Sequence, residues 1–413
     1  MSRRRVVITG MGCINPLGND VPSTWSAILA GRSGVGPITL FDVTGFDTRF
    51  AAEVKGFDPD ALIGRKLARR TDRFCQFALV AASEAIKQSG IEGQDPDRIG
   101  VLIGSGIGGV GSILTETTHF LESGPKRVSP FLVPMMLPDS AAGQVAIHFG
   151  LRGPNMAVTT ACATGSNAIG EATEMIRRGA ADAMLAGGAE AGIVPVALAG
   201  FNAMDAISER NDDPQHASRP FDRDRDGFVL GEGGAVLVLE SLEGALSRGA
   251  TPLAEVIGYG TTNDAFHISA PAENGAGAAA CMRLALKDAG LEPGDIQYIN
   301  AHGTSTKLND ASETRAIRDV FGPAADRIPV SSTKSMTGHL MGAAGALEAI
   351  FCILAVRDGI LPPTTNYETP DPACDLDYIP NQARPAPIQR ALSNSFGFGG
   401  HNAGLILSRV DLI

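Results

Sequence analysis

The 413-residue sequence contains no run of the ~18 consecutive apolar residues that mark a transmembrane helix. Its first residues, MSRRRVVITG, pass directly into a strand pattern and lack the apolar core and cleavage site of a secretory signal. These two absences lead us to expect a cytoplasmic protein without a membrane segment.

Positive charge is scarce, because 34 lysines and arginines stand against 45 acidic residues, a net charge of −11. A chain this acidic is not expected to bind nucleic acid through a general electrostatic field. Long like-charge blocks are also missing and the apolar content is ordinary, which excludes extensive disorder.

Closely spaced cysteines are absent, since none of the six lies in a C-x-x-C pair. A zinc centre or a dithiol redox centre is therefore not predicted, and we expect no bound metal. Wide spacing in a chain without a secretory signal predicts reduced thiols, most of them small buried side chains. One of them needs examination as a nucleophile.

Glycine is in excess, at 50 of 413 residues against a usual ~7%. Short apolar runs at Arg5–Thr9, Ile99–Ile103 and Ala235–Leu239 predict buried strands. Helical spacing at Asp72–Ser89 and Asn309–Phe321 predicts helices between such strands. The alternation predicts a layered α/β fold.

The second half of the chain repeats the strand–helix scheme of the first half. Thr160–Gly188 and Gly338–Gly359 each run from a small-residue turn into an Ala-rich helix, which favours a duplicated core. Between them, the Pro- and Asp-rich segment Arg210–Asp226 predicts a long surface loop.

A glycine-rich stretch, GSGIGGVG, follows one predicted strand and contains G-x-G-x-x-G at Gly104, Gly106 and Gly109. This matches the dinucleotide fingerprint formally, but glycine is common throughout the chain and no helical pattern follows Gly111. We favour a backbone bend that lines a pocket over a nicotinamide site.

Cys162 lies in NMAVTTACATGSNAIG, where a strand enters small residues and then a helix. Small neighbours permit a sharp turn that presents the sulfur at a helix N-terminus. There, the helix dipole and free N–H groups favour a thiolate with a lowered pKa and a developing oxyanion. The alternative is a buried structural cysteine.

Two histidines and a lysine lie in glycine-rich loops at predicted strand ends. His302 is in INAHGTST, and Lys334 and His339 are in KSMTGHLMGAAG. A lone histidine is usually a satisfied structural group, but active sites collect at such strand ends. Two neutral imidazoles can donate hydrogen bonds to the oxygen of an enolate that forms beside a carbonyl.

The segment SNSFGFGGHN places Phe398 between two glycines. It predicts a hairpin with a buried phenylalanine, or a loop in which the aromatic ring swings.

Together, TTACATGSNAIG, NAHGTST, KSMTGHLMGAAG and SFGFGG resemble the 3-oxoacyl-[acyl-carrier-protein] synthases of the elongating type, over essentially the whole chain. The resemblance implies a thiolase-like α/β fold, with two similar halves (residues 1–250 and 251–413) in five αβαβα layers. It also implies a dimer and no cofactor, because substrates arrive on the phosphopantetheine of acyl carrier protein.

The resemblance further implies a ping-pong decarboxylative Claisen condensation. Cys162 would attack an acyl thioester, with its own N–H and that of Phe398 as the oxyanion hole. His302 and His339 would promote decarboxylation of malonyl-carrier protein and stabilise the enolate, and Lys334 would hold His339.

Other positions match family residues with supporting roles. Thr304 and Thr306 match residues that bind the pantetheine arm, Phe398 matches the gating aromatic, and Ile107 matches a residue of the acyl pocket. Glu348 matches a buried carboxylate beside which some relatives hold a monovalent cation.

The chain departs from the family pattern in FLVPMMLPDSAAG, at Leu132, Asp139 and Ser140. In the family this segment meets the other subunit and closes the acyl pocket. Two alternatives therefore stay open: a homodimer in fatty acid elongation, or a ketosynthase paired with a homologous chain-length subunit in polyketide or polyene synthesis. A non-catalytic partner subunit is not favoured, because such partners typically lack the nucleophile.

Carrier proteins are acidic, so an acidic enzyme needs a local basic surface to bind them. The sequence offers one candidate docking surface, for which an ordinary solvated helix face is the alternative. Its residues are Arg65, Lys66, Arg69, Arg70, Arg73, Lys126 and Arg127.

Overall fold

The computed structural model describes residues 3–272 and 274–411. The strands of the first half are β1 (Val6–Ile14), β2 (Gly36–Pro37), β3 (Phe50–Ala51), β4 (Ile99–Gly104), β5 (Asn155–Met156), β6 (Ala183–Glu190) and β7 (Gly233–Ser241). Its helices are α1 (Val21–Leu29), α2 (Arg65–Ala68), α3 (Arg73–Ser89), α4 (Val110–Ser123), α5 (Leu132–Met136), α6 (Ser140–Phe149), α7 (Thr164–Arg177), α8 (Pro195–Ala203) and α9 (Leu242–Ser247).

The strands of the second half are β8 (Ala254–Asn263), β9 (Tyr298–Asn300), β10 (Val330–Ser331), β11 (Ile360–Leu361), β12 (Arg384–Pro385), β13 (Arg390–Gly397) and β14 (His401–Ser408). Its helices are α10 (Ala276–Ala289), α11 (Lys307–Phe321), α12 (Lys334–Thr337) and α13 (Ala344–Asp358). Within the described ranges, every helix is too short or too polar to span a bilayer.

The main sheet consists of two halves with the same topology. One half has the order β1-β7-β6-β4-β5 and the other has β8-β14-β13-β9-β10. In each half the first two pairings are antiparallel and the last two are parallel. The halves meet where β1 pairs with β8 through Val7–Glu255 and Ile8–Ala254. The predicted duplication is therefore confirmed.

Helices complete a five-layer αβαβα architecture. Helices α7 and α13 lie in the middle and share one buried cluster with strands of both halves. Helices α3 and α6 cover the outer face of the first half, and α10 and α11 cover that of the second. Helix α13 is buried on all sides from Ala344 to Val356, as an apolar central helix requires.

The expectation that no helix follows Gly111 is wrong, because α4 begins at Val110. The glycine turn nevertheless does not resemble a phosphate site. The carboxylate of Glu190 accepts hydrogen bonds from Gly106 N–H (2.7 Å) and the Ser105 hydroxyl (2.6 Å). A negative group already occupies the donors that a dinucleotide phosphate would need.

The prediction of a surface loop at Arg210–Asp226 is wrong for its second part. Arg219, Asp222 and Arg225 are buried. Arg219 Nε donates to Asp222 at 3.0 Å, and Arg225 lies 3.6 Å from the buried carboxylate of Asp310. Composition misleads here because each buried charge has a partner of opposite sign, which permits burial.

We expect Phe351→Ala in α13 to lower the free energy of unfolding by about 3–5 kcal/mol, because it leaves a cavity in the central layer. Phe351 is 0% exposed and its ring centroid lies 6.3 Å from that of Trp25. The matched control is Leu246→Ala, at a residue that is 47% exposed. Urea unfolding of both variants measures this, and equal losses would contradict the central role of α13.

Candidate functional site

Two equivalent tight turns form the centre of the molecule. Ala161 and Met341 both have φ of +49°, and each begins a 3-10 turn that leads into α7 or α13. A positive φ strains a residue with a side chain, and such strain concentrates at functional sites. The first turn presents Cys162 and the second directly follows His339.

Cys162 and His339 are in contact, with 3.0 Å between Sγ and Nε2. Both side chains are buried and line a cavity of about 470 Å³. The same cavity is lined by His302, Thr304, Thr306 and Phe398. The structure therefore brings six of the eight predicted catalytic and substrate-binding residues into one cavity, and Lys334 and Ile107 lie outside its lining.

His302 is held from behind by Glu313 of α11. The Glu313 carboxylate accepts the backbone N–H groups of His302 and Gly303, both at 2.8 Å. The rings of His302 and His339 lie 5.4 Å apart, nearly perpendicular. Sequence reasoning missed Glu313, and only its place in the predicted helix after NAHGTST could have indicated it.

Lys334 does not hold His339, contrary to the expectation. Its Nζ donates to the carbonyl oxygen of His302 at 2.7 Å and forms an ion pair with Glu348. All of these groups are buried. Lys334 therefore fixes the His302 loop and supplies a positive charge beneath both imidazoles.

Burial dominates the electrostatics of the site. It raises the pKa of Cys162 to about 12, although Lys334 and the Phe398 N–H, which donates to the sulfur, act in the opposite direction. Burial, and then the charge of Lys334, hold the pKa values of His302 and His339 well below the ordinary range. The expectation of a lowered pKa is therefore wrong, because desolvation outweighs the helix terminus.

The tautomer of His339 follows from its backbone contact. Its Nδ1 accepts the N–H of Met341 at 3.3 Å, so the proton of the neutral ring lies on Nε2. The Cys162 sulfur and one ring nitrogen each of His302 and His339 lie within 4.8 Å of one another, close enough to raise the question of a metal site. A histidine that binds a metal through one ring nitrogen usually donates a hydrogen bond from the other. His339 accepts at Nδ1, so its Nε2–H is arranged to donate a hydrogen bond and not to bind a metal.

The hairpin between β13 and β14 closes over the nucleophile. Phe398 is half-buried, and a Cβ on Gly397 would lie 2.7 Å from Thr160 O and 3.0 Å from Cys162 N. Glycine at 397 therefore allows the backbone that leads into Phe398 to pack closely on the Cys162 turn, where the Phe398 N–H donates to the sulfur. The predicted hairpin is confirmed by the pairing of β13 with β14, although Phe398 is half-buried, and a swinging ring stays a prediction.

The cavity leads to a surface opening beside α11. The hydroxyl oxygens of Thr304 and Thr306 are 2.9 Å apart on its wall, and Lys307 and Leu308 also line it. Ile107, predicted in the acyl pocket, is not among the lining residues and is 38% exposed.

Glu190, another residue that sequence reasoning missed, joins the two halves beneath Cys162. It ends β6 and accepts the N–H groups of Gly106 at 2.7 Å and Gly342 at 3.0 Å. Burial raises its pKa, although these hydrogen bonds act in the opposite direction. An acidic residue at the end of the apolar strand AMLAGGAE was the available signal.

Three buried amide or carboxylate oxygens of the second half lack hydrogen-bond partners within the described ranges. Glu348 Oε2, Asn300 Oδ1 and Asn394 Oδ1 have no hydrogen-bond partner among the described residues. Burial raises the pKa of Glu348 to about 7 despite the neighbouring Lys334.

The predicted basic residues form one exposed surface with one exception. Arg70 lies over the ring of Phe131, 4.9 Å from its centroid, which joins the α2 segment to the segment of Lys126 and Arg127. Arg73 instead turns inward and forms a bidentate ion pair with buried Glu232, at 2.6 and 2.8 Å. We remove Arg73 from the candidate docking surface for this reason.

Comparisons with known proteins agree along the whole chain. Residues 3–245 match the family model "Beta-ketoacyl synthase, N-terminal domain", and residues 253–368 match "Beta-ketoacyl synthase, C-terminal domain". The chain is 53% identical over 410 residues to 3-oxoacyl-[acyl-carrier-protein] synthase 2 of Staphylococcus aureus (strain N315), covering 99% of each.

Solved structures are similarly close. The ishigamide ketosynthase/chain length factor has a TM-score of 0.93 at 40% identity, covering 99% of this chain and 100% of that one. A type II PKS acyl-carrier protein in complex with its ketosynthase bound to the hexaketide has a TM-score of 0.92 at 38% identity, with the same coverage.

We expect the alkylation rate of Cys162 by iodoacetamide to keep rising from about pH 7 to about pH 10, because only the thiolate reacts and its pKa is raised. Peptide mass spectrometry identifies the modified cysteine, and Cys162→Ala is the control. A plateau below about pH 8 would show a resting thiolate instead.

Proposed function

The chain belongs to the beta-ketoacyl synthase family of condensing acyltransferases, and we propose that it condenses an acyl group carried on Cys162 with malonyl-carrier protein during fatty acid elongation. The products are 3-oxoacyl-carrier protein, CO₂ and free carrier protein. The observation that carries this proposal is the 3.0 Å contact between Cys162 Sγ and His339 Nε2 inside the buried cavity.

In the first half-reaction, the Cys162 sulfur attacks the thioester carbonyl of an acyl-carrier protein. The new C–S bond forms as the carrier thiol leaves, and the proton of Cys162 ends on that thiol. The N–H groups of Cys162 and Phe398 would bind the oxyanion. Because the site is buried, water that would hydrolyse the acyl-enzyme is kept out.

In the second half-reaction, the bond between the malonyl carboxylate and its α-carbon breaks, and its electron pair becomes an enolate. The Nε2–H of His339 would donate to the enolate oxygen, with His302 as the second donor. Their lowered pKa values suit this role, because neutral imidazoles do not bind the carboxylate of malonate as a salt. CO₂ departs, the enolate carbon attacks the acyl carbonyl, and Cys162 leaves as a thiolate that takes a proton from solvent to restore the thiol.

Supporting residues have distinct proposed roles. Lys334 and Glu313 would hold the His302 loop, and Thr304 and Thr306 would bind the pantetheine arm along the cavity wall. No cofactor is proposed. Ile107 stays a proposed acyl-pocket residue at the edge of the described cavity.

We propose that residues 1–250 and 251–413 are the two halves of one catalytic unit that associates with a second subunit of the same fold. The β5 edge carries exposed apolar residues, with Val133 57%, Ile147 78% and Met156 42% exposed. Such a patch indicates an interface. Leu132, Asp139 and Ser140 lie in this region. Their side chains would therefore contribute to the choice between an identical partner and a chain-length subunit.

Incubation with acyl-carrier protein should add the acyl mass to Cys162 and to no other cysteine. Cys162→Ala should remove the adduct, whereas Cys281→Ala, at another buried free cysteine, should retain it. Intact-protein and peptide mass spectrometry give the measurement. An adduct that survives in Cys162→Ala would overturn the proposal.

Charge reversal at Arg69 and Arg70 should raise the KM for acyl-carrier protein roughly tenfold, because the exposed docking surface would then repel an acidic partner. Steady-state kinetics at low ionic strength test this, with Arg178→Glu, an exposed arginine at the end of α7, as the matched control. The melting temperature should not change. Equal KM values for both variants would remove this surface from the proposal.

A further inference from the structure

A chain of hydrogen bonds connects the turn at Cys162 to the second half of the molecule. The Thr160 hydroxyl donates to Asn167 Oδ1 at 2.7 Å, and Asn167 Nδ2 donates to the Tyr259 hydroxyl at 2.7 Å. The Tyr259 hydroxyl in turn donates to Glu171 Oε1 at 3.2 Å. Asn167 and Glu171 belong to α7, whereas Tyr259 belongs to β8.

Each bond of this chain has a fixed direction. Because the Asn167 oxygen accepts from Thr160, its amide group faces Tyr259, and the tyrosine proton is left for the carboxylate of Glu171. Asn167 is 6% exposed, so an unmade bond there is costly. The Tyr259 ring packs directly on Gly170, where an added Cβ would lie 2.3 Å from it.

Thr160 is the residue through which this chain reaches the nucleophile. Its N–H donates to Thr164 Oγ1 at 2.9 Å and its carbonyl accepts the Ala163 N–H at 3.0 Å. Ala161, between Thr160 and Cys162, holds the strained φ of +49°. Such a conformation persists only where its surroundings determine it, and Thr160 is one of its two immediate neighbours.

We propose that Asn167 and Tyr259 are positioning residues that fix Thr160 and thereby aim the Cys162 sulfur at the acyl carbonyl. This inference rests on the proposed function, in which Cys162 is the nucleophile. Neither residue lines the cavity, so they act through the turn and not on substrate. Their loss slows acyl transfer to Cys162 but leaves malonyl decarboxylation, which depends on His302 and His339, unaffected.

The experiment compares the two half-reactions in Tyr259→Phe, Asn167→Ala and the double variant of the full-length enzyme. We expect the rate constant of Cys162 acylation to fall roughly three- to tenfold at unchanged KM, because a positioning bond has been lost. The double variant should be no slower than Asn167→Ala, since both residues act in one chain. Decarboxylation of malonyl-carrier protein should proceed at the parent rate.

Tyr378→Phe is the control, because this buried tyrosine likewise loses the contact of its hydroxyl, here 2.8 Å from Thr314 Oγ1, outside the chain of Asn167 and Tyr259. Its acylation rate should equal that of the parent enzyme. Tyr259→Phe removes the hydroxyl but keeps the ring that packs on Gly170. It therefore tests the positioning role on its own if Asn167→Ala does not fold.

Acylation at the parent rate in Tyr259→Phe would overturn the inference, as would an equal loss in both half-reactions. If the proposed function itself is wrong, the parent enzyme will show no acyl adduct on Cys162, and this result differs from a variant that acylates at the parent rate.

Discussion

The burial of α7 and α13 between the two halves of the sheet is the constraint on which the rest of the structure depends. Each helix begins at a turn with one residue in the left-handed region, Ala161 or Met341. The packing of the two helices brings these turns together, and Glu190 binds the glycine backbone on both sides. The contact between Cys162 and His339 follows from that arrangement.

A second consequence of this burial is electrostatic. Desolvation raises the pKa of Cys162 and lowers those of His302 and His339, and both directions favour the uncharged form of the reacting groups. The nearest charged pair is Lys334–Glu348, which contacts the backbone of His302 and not the reacting atoms. A neutral site surrounded by fixed donors is organised for charge that develops during the reaction, and not for charge present at rest.

Much of the fold was predictable because local pattern and tertiary structure agree. Apolar runs such as Ile99–Ile103 became strands, and the small-residue turns at Thr160–Gly188 and Gly338–Gly359 proved equivalent. The failures have physical causes. Arg210–Asp226 is polar in composition, but its buried charges are paired with residues distant in sequence, such as Asp310, and no local pattern records that pairing.

The candidate site shows the same division. Cys162, His302, His339 and Phe398 carry recognisable local motifs, and they line one cavity. The carboxylates that hold them lie within ordinary helix or strand patterns, so Glu313 and Glu190 were missed. The direction of the Cys162 pKa shift depends on burial, which position at a helix start does not report.

The seam between the sheet halves has a mechanical implication. Among the described residues, strand pairing across it is confined to Val7–Glu255 and Ile8–Ala254, so the packing of the central helices and the hydrogen bonds of Glu190 and Asn167 contribute to the rest of the connection. Apolar contacts are non-directional, in contrast to a backbone ladder. The distance between the Cys162 sulfur and the His339 ring therefore depends mainly on side-chain contacts between the halves, and only to a small extent on backbone pairing.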